Sequence, residues 1–128
     1  MQGKHLFEYA VIRVVPHVER EEFLNVGVVL LCAGQRFLEA KIHFDEGRLK
    51  ALCKEVDIEE LNTYASSFSR ICKGGKEAGP IGQLPLSERF RWLTATRSTI
   101  LQPSKVHPGL CDDAKKTLER LFRELVEP

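Results

Sequence analysis

The chain has 128 residues, with 19 basic and 18 acidic side chains and a formal net charge of +1. Hydrophobic residues make up 43% and charged residues 29%, a globular balance at the length of one domain, long enough to bury roughly two thirds of the unfolded surface. That charge balance disfavours a nucleic-acid partner, because phosphate neutralisation supplies much of such binding, and no apolar run reaches the length of a membrane span.

At the N-terminus, Glu8 and Arg13 interrupt the apolar stretch and no small-residue cleavage site follows, so the reading is a soluble, cytoplasmic protein without a signal peptide. One domain is expected over residues 1–128. Cys32, Cys53, Cys72 and Cys111 form no CxxC pair. Small buried thiols, reduced and metal-free, are expected, with no cofactor.

The first third reads as strands. Leu6 to Val15 is rich in β-branched and aromatic residues and is apolar on both faces, which marks an interior strand ended by Pro16. Phe23 to Cys32 is a second two-sided strand, interrupted by Asn25 and Gly27, and that glycine suits a bulge. Arg36 to Phe44 alternates, with Leu38, Ala40, Ile42 and Phe44 on one side. Short connections predict an antiparallel meander in which the third strand pairs with the second.

Helices follow. Asp45 suits the N-cap of a short helix carrying Leu49 and Leu52. Asp57 with Glu60 opens a longer one, whose inward face carries Ile58, Leu61, Ala65, Phe68 and Cys72 and which closes at Gly74 and Gly75. Lys73 to Pro85 is rich in glycine and proline and reads as a loop. Ser87 is the expected cap of a helix ending near Ala95. "RSTILQ" is then a strand stopped by Pro103, "SKVHPG" an irregular connector, and Asp112 the cap of the last helix. The expected fold is α+β: a mainly antiparallel sheet, the three-stranded meander plus one later strand, with helices packed on one face.

Three stretches, "EYAVIRVVPHVEREEFLNVGVVLLC", "ERFRWLTATRSTILQPSKVHPGL" and "LERLFREL", resemble a bacterial family, the domain of unknown function 3037. The resemblance runs end to end and is most specific from Glu88 to Leu110. It implies a possible neighbour, a serine/threonine kinase of the HipA type, and carries over no catalytic residue.

Residue chemistry offers several candidate sites. Arg97, with Lys105 and His107, is a candidate anion site, since an arginine fork leads into a connector stiffened by Pro103 and Pro108. Strand alternation makes Thr99 its hydroxyl helper, with Ser98 and Ser104 as further donors. Arg89 or Arg91 can join it, but not both, because a two-residue spacing on a helix points them apart. Arg13, Asn25 and His43 are polar positions on apolar strands: they line a pocket floor if the strands bring them together, or Arg13 pairs with Glu39 or Glu8. His43 with Asp45, and His107 with Cys111, carry metal-ligand atoms at no recognised spacing. Cys111 with His107 also has the elements of a thiolate and base near a helix N-terminus, weighed against an inert buried thiol.

These features favour a non-catalytic binding or accessory protein acting with a protein partner. The alternative is a small enzyme or sensor for a phosphate-bearing ligand held by Arg97, Lys105 and His107.

Overall fold

The computed structural model describes residues 4–95 and 99–128. Three strands open the chain: β1 (His5–Val14), β2 (Leu24–Cys32) and β3 (Phe37–Ile42). Helices α1 (Glu46–Leu52), α2 (Ile58–Lys73), the short α3 (Gly79–Gly82) and α4 (Leu86–Leu93) follow. Strands β4 (Leu101–Pro103) and β5 (His107–Cys111) and helix α5 (Ala114–Leu125) complete it. The class is α+β, with an antiparallel sheet ordered β3-β2-β1-β4, and β5 also paired to β1.

The first three expected strands form nearly where the alternation places them, and β3 pairs with β2, whereas the strand expected at "RSTILQ" is confined to Leu101–Pro103 among the described residues. Aspartates start three helices: Asp45, Asp57 and Asp113 each accept a hydrogen bond from the backbone N–H three residues on, satisfying a donor that has no partner inside the helix. The last of these is a correction. Asp113, not Asp112, caps α5, and Asp112 instead pairs with Lys4. Similarly, Ser87 lies within α4, which begins after Pro85 with no side-chain cap. The glycine- and proline-rich stretch is not wholly a loop, for it holds a single turn at Lys76–Ala78 and then α3.

The helices do not share one face of the sheet. Ala10, Ile12 and Val14 of β1, with Val29 and Leu31 of β2, pack against α2 and α4 through Leu61, Phe68, Phe90 and Leu93. Phe7, Val28, Leu30 and Cys32 point the other way and meet Leu118, Leu121 and Phe122 of α5. Successive strand residues point to opposite faces, so α2 and α5 lie on opposite sides. The two-sided apolarity of β1 and β2 has this cause: each strand needs a helix on both faces. Buried leucines and isoleucines such as Ile12, Leu30, Leu61 and Leu118, each under 2% exposed, contribute roughly 1.5–3 kcal/mol apiece.

Two bulges shape the sheet. Ile12 pairs with Gly27 but Arg13 with Asn25, which leaves Val26 as an extra residue on β2. Gly27 is required there, because a Cβ would stand 2.6 Å from the Lys41 carbonyl oxygen. The second bulge lies on the other side of β1 and forms the candidate site.

Candidate functional site

Strands β4 and β5 are one strand broken at a bulge. Pro103 pairs with Ile12 and His107 with Tyr9, so three residues, Ser104 to Val106, stand opposite two, Ala10 and Val11. Ser104 bridges the gap. Its N–H donates to Val11 O at 2.7 Å, and its hydroxyl accepts from Val11 N at 2.8 Å and donates to Lys105 O at 2.8 Å. The hydroxyl thus stands where a ladder carbonyl would, and the buried Val11 amide is satisfied. The segment expected as an irregular connector is therefore three bulge residues and then β5. Pro103 closes no strand but belongs to β4, and Pro108 sits within β5; both are on the sheet edge, where a missing N–H is tolerated.

This edge presents a mixed surface. On the α5 side, His107 stacks on Tyr9 with centroids 5.3 Å apart, and Phe7 covers Gly109, where a Cβ would meet its ring at 2.5 Å. On the opposite side Leu6 pairs directly with Leu110, beyond the reach of α2 and α4. These two leucines are 62% and 67% exposed, and Val106 in the bulge is 38% exposed.

The anion-site residues are partly accounted for. Arg97 and Ser98 lie outside the described residues. Lys105 and His107 are both exposed at the bulge. Thr99 is exposed, but its hydroxyl donates to Leu101 O at 2.8 Å, and Ser104 is committed to the backbone as described. Arg89 is held elsewhere: its guanidinium donates to the carbonyls of Leu84, Ile71 and Cys72 at 2.8–2.9 Å, closing the end of α2. Arg91 is exposed.

Arg13 and Asn25 are cross-strand partners. Arg13 pairs with neither Glu8 nor Glu39. Its guanidinium lies 4.1 Å over the Phe23 ring, while Glu39 binds Lys115 at 2.8 Å. Asn25 donates to Leu125 O at the end of α5. Arg13 Nε and Asn25 Oδ1, a donor and an acceptor, are buried with no hydrogen-bond partner among the described residues. Asn25 and His43 line a shared cleft of about 490 Å³ with Lys41, Asp45 and Arg48; Arg13 does not. The three polar positions are therefore divided rather than gathered on one floor.

The Cys111 and Cys72 thiols are poorly suited to nucleophilic attack. Burial, reinforced by the adjacent Cys32, raises the Cys111 thiol above its ordinary value, and Gly109 under the Phe7 ring lies between it and His107 on the strand. Burial likewise pushes the Cys72 thiol up to about 12, opposed by the Arg89 charge. All four cysteines are free thiols. Among the described residues no helix is long and apolar enough to cross a membrane, and no group of three or more His, Cys, Asp or Glu side chains is placed to hold a metal ion.

A family model described as "Protein of unknown function (DUF3037)" matches residues 9–126. The chain belongs to this family. The DUF3037 match takes in most of β1, both bulges, the bulged edge and the whole of α5. No curated protein and no solved structure matches the chain.

Proposed function

We propose that this DUF3037 chain is a non-catalytic binding or accessory domain that docks a protein partner on the bare corner of its sheet. The observation that carries this is the Leu6–Leu110 pair, two facing leucines each exposed over more than 60% of its surface. Apolar side chains clustered on a sheet, with no helix over them among the described residues, suit a partner's apolar surface. Burying the exposed part of each leucine contributes roughly 1–2 kcal/mol. The partner to try first is a HipA-type serine/threonine kinase, which the family resemblance implies.

The test compares the wild-type chain with the double variant Leu6→Lys/Leu110→Glu as bait for the purified kinase and for native lysate. Opposite charges on facing positions keep the strands paired while removing the apolar surface. Capture by wild type and loss in the double variant, with equal urea midpoints, is the expected result. Capture that the double variant retains, or no capture by either bait, refutes the proposal.

A second reading rests on Lys105 and His107, both exposed at the bulge: a phosphate-bearing ligand held with Arg97. Phosphate binding that weakens as added salt rises, and that is lost in Lys105→Ala/His107→Ala, supports it. Binding indifferent to both changes removes it.

A further inference from the structure

The opposite edge of the sheet has a different character. Strand β3 ends the sheet order, and no described strand pairs with its outer side. His43 N–H donates to Val26 O at 2.8 Å, which makes Val26 and His43 a hydrogen-bonded pair. Antiparallel pairs alternate, so Lys41 and Glu39 also turn their backbone groups toward β2. Leu38, Ala40 and Ile42 therefore turn their N–H and C=O groups outward. Leu38 is only 5% exposed, whereas Ala40 and Ile42 are half-buried, so the open part of the edge lies at these two and is a template for another strand.

Beside this edge runs a trough between β3 and α2. Two clefts of about 560 and 730 Å³ share Ala40 and Ser69 as lining and so run into each other. The sequence explains the hollow: Ala40 on the strand faces Ala65, Ser66 and Ser69 on the helix, all too small to fill the space. A strand added to β3 would drop alternate side chains into it.

The rim is cationic. Arg36 precedes β3, and Arg70 and Lys73 come from α2; Arg89 of α4 adds its charge while its guanidinium stays on the carbonyls of Leu84, Ile71 and Cys72. None forms an ion pair with a carboxylate among the described residues. The one acid in the lining, Glu39, points to the other face and is neutralised by Lys115.

From these observations we infer that the trough is a docking site for an extended, acidic segment of a partner protein, which adds to the outer edge of β3 as an extra strand. Backbone hydrogen bonds from Ala40 and Ile42 supply sequence-tolerant affinity, and the rim cations select glutamate and aspartate. This site lies on the edge away from the Leu6–Leu110 corner and stands or falls separately from it.

The probe is a short synthetic peptide in which glutamate alternates with valine, with a lysine-for-glutamate peptide as control. Binding is read by fluorescence anisotropy and by amide hydrogen exchange. The glutamate peptide binds, the lysine peptide does not, and exchange slows at Ala40 and Ile42. Arg70→Glu/Lys73→Glu weakens binding about tenfold or more. Ala40→Pro removes an outward N–H without touching the ladder to β2, and Ser69→Trp fills the trough; either abolishes binding with the far-UV spectrum unchanged. Leu6→Lys/Leu110→Glu leaves peptide binding intact, which separates this result from a failure of the corner proposal. Equal binding of both peptides, binding that survives Ser69→Trp, or no binding at all overturns the inference. So does concentration-dependent self-association abolished by Ala40→Pro without peptide binding, which assigns the edge to a second copy of the chain.

Discussion

Replacing Ser104 by alanine tests whether one hydroxyl holds the bulged edge together. The hydroxyl accepts from Val11 N at 2.8 Å and donates to Lys105 O at 2.8 Å. Alanine leaves both groups without a partner, but at unequal cost. Val11 is 7% exposed, so water has little access to its N–H, and an unsatisfied buried donor costs about 1–3 kcal/mol. Lys105 is exposed, and water replaces the bond to its carbonyl at little cost. The expected loss is about 2 kcal/mol, or roughly 6–10 °C in Tm for a chain of this size. Urea unfolding measures the loss, and amide exchange at Val11 locates it. Ser104→Thr keeps the hydroxyl and should retain most of the stability. An alanine variant within about 0.5 kcal/mol of wild type, with Val11 exchange unchanged, would refute the bridging role.

Arg89→Met keeps the apolar stem but removes the charge-assisted bonds to the carbonyls of Ile71, Cys72 and Leu84; a loss of about 2–3 kcal/mol in urea unfolding is expected, with exchange accelerated at the end of α2. Gly27→Ala places a Cβ 2.6 Å from the Lys41 carbonyl oxygen and should cost about 2–3 kcal/mol, since backbone rather than a side chain must move. The Cys72 thiol stays protonated up to about 12 in the folded chain against an ordinary value of 9.0, so above pH 9 the unfolded state loses its proton first. Cys72 should therefore cost stability as pH rises from 9 toward 12, by up to about 1.4 kcal/mol per pH unit, and Cys72→Ala should flatten that part of the stability profile relative to wild type.

Local signals in the sequence determined the first three strands, the longer helices and the α+β class, but not β5, which reads as a connector. Alternation along Arg36 to Phe44 marks β3 because side-chain direction repeats every second residue. Aspartates at 45 and 57 mark helix starts because a carboxylate there satisfies a backbone donor within the same few residues. The two-sided apolarity of β1 and β2 was legible too, but not its consequence: periodicity says that both faces are buried and does not say by which helix, so α2 and α5 went to one face in the expectation and to opposite faces in the fold. At the candidate site, Ser104, Lys105 and His107 were visible as chemistry, and their surroundings were not. Whether Ser104 serves a ligand or the Val11 amide depends on a strand more than ninety residues away in the chain. Leu6 looks like an ordinary strand leucine and Leu110 like the end of a connector, and the trough on β3 is spelled in alanines and serines that carry no chemical signal. Only the tertiary structure decides which apolar pair is left bare, which strand is left on the edge and which small residues face each other, because each depends on the space between elements distant in sequence.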